Sequence, residues 1–229
     1  MLGVFVNVIT VIAGSLVGLL FKKGIPERVS QAAMIGLGVC TLYIGISGSF
    51  CGENVLITIG SVVLGAICGT LLDIDGAINR LAEKVENKFK KDGKKVSIAE
   101  GLVSSTLLFC VGSMTVTGSL QAGLTGDSSV LITKATLDLV SSMMLASSLG
   151  IGVLLSAGSV LVIQGGLVLL AGVIAPLMDA GAINEMTCAG SLLIVMIGTN
   201  LMGITKIKVA DYLPAILFAP IIHNIVALF

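Results

Sequence analysis

The chain has 229 residues, of which 55% are hydrophobic and 11% charged, and 13 basic and 13 acidic side chains give a formal net charge of zero. A mean hydropathy of +1.10 excludes an ordinary soluble domain, whose surface could not cover that much apolar side chain. The balanced charge leaves no basic footprint for nucleic acid, while 29 glycines and no Trp suit helices that pack backbone to backbone in a bilayer.

Apolar runs of about 17–25 residues, long enough to cross roughly 30 Å of hydrocarbon, recur along the whole chain. The first, Leu2 to Phe21, lacks a basic leader and a small-residue cleavage site, so it is expected to stay as the first span. Bounding the runs by charges and turn residues gives eight spans, at about 3–21, 32–49, 55–72, 101–120, 133–155, 157–178, 187–204 and 209–228. The expected fold is an all-α polytopic helix bundle, one integral membrane domain over 1–229. Between spans three and four, loop 73–99 carries Ile78, Leu81, Val85 and Phe89 at helical spacing and a stop at Asp92-Gly93. That pattern reads as an amphipathic helix on the cytoplasmic surface, or as a solvated helical connector.

Charge orients the spans. Lys22, Lys23 and Arg28, seven basic residues from Arg80 to Lys95, and Lys206 and Lys208 all fall in alternate loops, which leaves only Lys134 elsewhere. The other loops carry Glu53, Asp127, Asp179 and Glu185. The positive-inside rule places the basic loops in the cytoplasm and both termini outside the inner membrane of a prokaryote. A seven-span arrangement, with one glycine-rich run re-entering, is the second choice.

The chain also repeats itself. LLDIDGAINR, from Leu71 to Arg80, matches LMDAGAINE, from Leu177 to Glu185, with one residue skipped. The following spans align through Gly112 and Gly198, and the next open on Lys134 and Asp138 in one copy and Lys208 and Asp211 in the other. Segment 55–155 thus pairs with 157–229, and 1–54 resembles a partial third copy. Three spans per unit force opposite orientations, the inverted repeat by which many transporters expose a midplane site alternately to each side.

The run from Cys110 to Asp127, then Thr133 to Asp138, Gly150 to Val153, Gln164-Gly165-Gly166, Gly190 to Leu193 and Val209 to Ala215, resembles the prokaryotic membrane family called domain of unknown function 554, the YqgA-like proteins. This chain has Lys134-Ala135 where the family pattern has Lys-Ser, and Asp211-Tyr212 where it has Asn before Leu-Pro-Ala. The resemblance covers essentially the full length and implies a bacterial multi-span membrane protein. It carries no catalytic residues over.

Polar groups inside spans are costly and mark cavities or helix contacts. Lys134, Asp138, Ser142 and Ser148 share a face of span five, either a pathway wall with Asp138 as ion or proton ligand or an interfacial anchor above small packing residues. Asp211 opens span eight as a ligand or a helix cap, ahead of Pro214 and Pro220. Ser113 and Thr115 in span four, Gln164 in span six, and Thr199 and Asn200 in span seven complete the candidates for solute or ion binding, with Asn7 and Thr10 as weaker additions. His223, beside Asn224, reads as an interfacial side chain or a proton relay. The five cysteines form no C-x-x-C pair, although Cys51 and Cys188 can approach one face, and H-E-x-x-H, G-x-S-x-G and Walker A sequences are absent. The expectation is a secondary transporter or facilitator of a small polar solute or ion, not an enzyme, without cofactor or metal, in contact with lipid and able to form a homodimer. The alternative is a membrane scaffold or sensor acting through loop 73–99.

Overall fold

A computed structural model describes residues 1–22, 27–80, 98–111 and 113–228. Among them every regular element is helical. The helices are α1 (Leu2–Lys22), α2 (Glu27–Ser49), α3 (Val55–Leu71), α4 (Ile74–Arg80), α5 (Ile98–Cys110), α6 (Ser113–Leu124), α7 (Ser129–Leu149), α8 (Ile151–Leu169), α9 (Ala171–Ile174), α10 (Ala180–Leu201) and α11 (Ala215–Val226), with 3-10 turns at Ala175–Leu177 and Val209–Tyr212. Among the described residues five stretches are long and apolar enough to cross a membrane, or seven if each of two bent pairs is one span. The pairs are α3 with α4, bent by 52°, and α5 with α6, bent by 60°. The shorter apolar stretch Met34–Ser49 of α2 stands beside them.

Two expected boundaries move, for local reasons. Spans five and six meet at Gly150, whose φ of 82° is a left-handed conformation open to glycine at little cost, so α7 stops there and α8 starts one residue later. Hydropathy cannot register such a turn inside a continuous apolar run. Span seven begins earlier than its hydropathy suggests, because the Asp179 carboxylate accepts the backbone N–H of Ala182 at 2.7 Å and caps α10. Of the loop 73–99, the structure describes α4 and the start of α5, where Ile78 packs on Ile98 and Ala99. Leu81, Val85, Phe89 and Asp92-Gly93 lie outside the described residues.

Glycines set the closest helix contacts. A Cβ built on Gly14 of α1 would lie 2.1 Å from Ser142 Oγ and 2.4 Å from the Leu139 carbonyl oxygen of α7. Gly3 meets Leu131 and Gly18 meets Met143, so the contacts advance together and α1 runs parallel to α7. Along α2 the order reverses, with Gly38 against Met202 and Gly48 against Ser191 of α10, and the two run antiparallel. Gly65 against Ala215 and Gly69 against Asp211 likewise set α3 antiparallel to the 209–226 segment. The chain from Gly101 on α5 to Gly123 on α6 follows α8 from Gly152 to Val168, in parallel.

The surface is apolar and polar groups are inside. Phe5, Leu20, Leu71, Val162 and Leu217 are all more than half exposed, while Asn7, Ser61, Gln164 and Glu185 are wholly buried. Water penalises that distribution and hydrocarbon favours it. The central apolar core joins Phe109 of α5, Leu145 and Leu149 of α7 and Leu193 and Ile197 of α10.

Candidate functional site

A buried polar cluster gathers on α1, α7 and α8. Lys134 and Asp138, one helical turn apart on α7, form an ion pair through Nζ and Oδ2, with side chains only 7% and 8% exposed. Asp138 Oδ2 also accepts from Asn7 Nδ2 of α1 at 3.0 Å, and the same amide donates to Gln164 Oε1 of α8 at 3.2 Å. Thr10 Oγ1 donates to the Asn7 carbonyl at 2.8 Å and steadies the turn that presents it. Lys134 Nζ lies 6.0 Å from the centre of the Phe109 ring, close enough for a cation–π contact. Phe109 is also where the backbone turns, because its carbonyl accepts Thr115 Oγ1 at 2.9 Å across the bend between α5 and α6. Asp138 is the tenth of the 21 residues of α7, about halfway along it.

The sequence candidates divide between this cluster and two other places. Asp138 and Gln164 belong to the cluster, and Thr115 reaches its edge through Phe109. Ser142, a turn beyond Asp138, donates to the Leu139 carbonyl at 3.0 Å and lies against Gly14, at the close approach of α1. Gly112 and the Ser113 side chain lie outside the described residues. Asn200 folds onto its own following loop, accepting from Ile207 N at 2.9 Å and donating to the Ile207 carbonyl at 2.7 Å, while Thr199 bonds to Thr205 and to its own helix. Asp211 caps α4, not its own helix, by accepting the Asp75 N–H at 2.9 Å. Between these last two groups opens a cavity of about 390 Å³ that takes in Asp75, Glu100, Asn200 and Lys208 and has Val103 and Ser104 on its wall.

Residues 2–224 match the family described as "Protein of unknown function (DUF554)". The chain belongs to that family. It is 32% identical over 233 residues to the "Uncharacterized membrane protein YdfK" of Bacillus subtilis, a match covering all of this chain and 98% of the relative. It is 31% identical over 221 residues to the "Uncharacterized protein YqgA" of Escherichia coli, covering 95% of this chain and 94% of the relative. No solved structure matches it. With its inverted distribution of polar and apolar side chains, this DUF554 chain is a membrane protein.

One buried acid in the DUF554 chain escapes a reading of the sequence. Glu185 stands among loop acids in the hydropathy pattern, yet it lies inside α10 with no exposure. Its Oε1 accepts the N–H groups of Glu53 at 2.8 Å and Asn54 at 2.7 Å, and Oε2 accepts Thr58 Oγ1 at 3.2 Å, so it holds the start of α3 against α10. The signal for it is the helix-start pattern at Asp179, which begins α10 early enough to bring Glu185 inside. His223 Nε2 lies 3.3 Å from Asp179 Oδ1, and Asn224 donates to the Leu177 carbonyl at 2.9 Å, so both fasten the turn ahead of α10. The Ala182 N–H, with help from His223, holds the Asp179 carboxyl below the ordinary carboxylate value. Cys51 and Cys188 do share a face, since their thiols reach the consecutive carbonyls of Gly48 and Ser49 at 2.9 and 3.1 Å. Among the described residues no three His, Cys, Asp or Glu side chains gather as a metal site would require.

Proposed function

We propose that this chain is a secondary transporter or facilitator, not an enzyme, that moves a small polar solute or ion across the cytoplasmic membrane through a site centred on Asp138. The observation that carries the reading is the buried Lys134–Asp138 pair held by Asn7 and Gln164 midway along α7. A charge at the bilayer centre costs roughly 2.5–3.5 kcal/mol on insertion scales, and intramembrane pairs typically mark substrate or ion pathways. The bend between α5 and α6 supports it, since broken helices are how many transporters free backbone groups for ligands. So does the cavity, because Val103 on its wall and Phe109 beside Lys134 are six residues apart on α5, about 9 Å at the helical rise.

In this reading each bent pair crosses once and α2 crosses too, giving eight crossings with both termini outside. The parallel course of α1 and α7 and the antiparallel course of α2 and α10 are those that strict alternation requires. The inverted relation of 55–155 to 157–229 is supported locally. Asp73 and Asp179 each follow a helix end and set a carboxylate against the residue three positions on, Gly76 or Ala182.

With the five native cysteines replaced, Asp127→Cys is expected to react with a membrane-impermeant maleimide in intact cells and Lys208→Cys only after permeabilisation. Equal labelling of both in intact cells contradicts the topology. For transport, the purified chain in proteoliposomes is expected to move at least one member of a panel of ions and small polar solutes faster than empty vesicles do. Folded protein that moves none of them removes the reading.

A further inference from the structure

The hydrogen bonds around Asp138 fix which atoms of the site remain open. An ionised carboxylate only accepts, so Asn7 must turn its NH2 toward Asp138 Oδ2, as it does at 3.0 Å. That same NH2 meets Gln164 at 3.2 Å, so Gln164 must answer with its oxygen, and its own NH2 points away from Asn7. Gln164 is wholly buried, and Nε2 finds no partner. A buried donor left open in this way is an exception that calls for an explanation. The other buried side-chain atoms without a partner among the described residues are the hydroxyls of Ser15, Thr106 and Ser119, on α1, α5 and α6, which pack around α7 and α8.

We infer that this site binds a small monocarboxylate together with one proton; the binding stands by itself, and only passage across the membrane rests on the transport reading. The open group is a donor, so the ligand must bring an acceptor oxygen. A metal cation brings none and would meet an Asp138 carboxylate already taken by Lys134. A carboxylate has two acceptor oxygens, so one can answer the Gln164 amide and the other remains for a second donor, for which the Lys134 ammonium is the charged group of the cluster. Charge supplies the proton. Lys134 and Asp138 sum to zero, and an added anion would stand uncompensated in a low-dielectric interior. As Lys134 transfers from Asp138 to the ligand, Asp138 takes one proton from water, and the site returns to zero.

Asp138 faces few other ionisable groups. Lys134 lies on its own helix and Cys110 on α5, α1 and α8 present the uncharged Asn7 and Gln164, and α6 contains no titratable residue. On α2, Arg28, Cys40 and Tyr43 are exposed.

The test uses sodium lactate as probe on the full chain in detergent, with sodium chloride and glycerol as controls. Lactate is expected to raise the thermal unfolding midpoint increasingly as pH is lowered, with uptake of one proton per lactate bound. Gln164→Leu is expected to weaken lactate binding about tenfold, and Asp138→Asn, which mimics the protonated acid, to bind lactate without the pH dependence. Protection by chloride or glycerol equal to that by lactate, or lactate binding by wild type without proton uptake, overturns the inference with no variant needed. Lactate binding with proton uptake but without lactate counterflow in proteoliposomes keeps the ligand and removes transport of it. Flux of another panel solute with no lactate binding keeps transport and removes this ligand.

Discussion

Lys134→Ala is expected to destabilise the detergent-purified protein by about 3–5 kcal/mol, read from its thermal or denaturant unfolding, and adding Asp138→Asn is expected to restore most of that loss. The single substitution leaves a carboxylate 8% exposed inside the bundle with only an amide for company. A lone buried charge costs more than the pair gained, so removing both charges is milder than removing one. The amide that Asp138→Asn introduces would still meet Asn7 and keep the chain of side-chain amides to Gln164. The two substitutions must therefore be strongly non-additive. Additive losses in the cycle would mean that the two side chains are solvated separately, at the membrane rim.

Gly14→Val and Gly69→Val are expected to prevent accumulation of folded protein, whereas Gly36→Ala and Gly158→Ala leave it intact, as read by size-exclusion chromatography and thermal unfolding. The contrast comes from what each new Cβ meets. At Gly69 it would sit 1.8 Å from the Asp211 carbonyl oxygen, and at Gly14 it would sit 2.4 Å from that of Leu139. Both are backbone atoms of a packed helix or turn, so no rotamer change relieves the clash and the helices must separate. Overpacking typically costs about 1–3 kcal/mol even where side chains can adjust. Gly36 and Gly158 have nothing within 4 Å, and alanine there favours the helix. Equal losses at all four positions would contradict the helix pairings.

The sequence makes the membrane class, the early spans and the pairing of Lys134 with Asp138 on one helical face legible, because each is written in composition or in one helix's periodicity. The bends in α3–α4 and α5–α6 are not, since hydropathy averages over a break that a local turn decides. Nor is the partnership of Asn7 with Gln164, which joins residues 157 apart in the chain and needs the α1–α8 packing to bring it about. Asn200 shows the converse. Its depth in an apolar run suggests a binding role, but it sits at the end of α10, where open backbone groups of the next loop are the nearest partners. Asp211 has the sequence context of a helix cap and is one, for a helix whose Asp75 lies 136 positions earlier in the chain.

The Lys134–Asp138 pair with Asn7 and Gln164 is the proposed passage site. The most direct measurement is solute counterflow through proteoliposomes by wild type, Asp138→Asn and Gln164→Leu at matched amounts of folded protein, using the solute that wild type moves fastest. Counterflow reduced at least tenfold in Gln164→Leu, and counterflow by Asp138→Asn that no longer varies with pH, is the expected result. Counterflow by both variants that matches wild type in rate and pH dependence would contradict it and place the pathway elsewhere in the bundle.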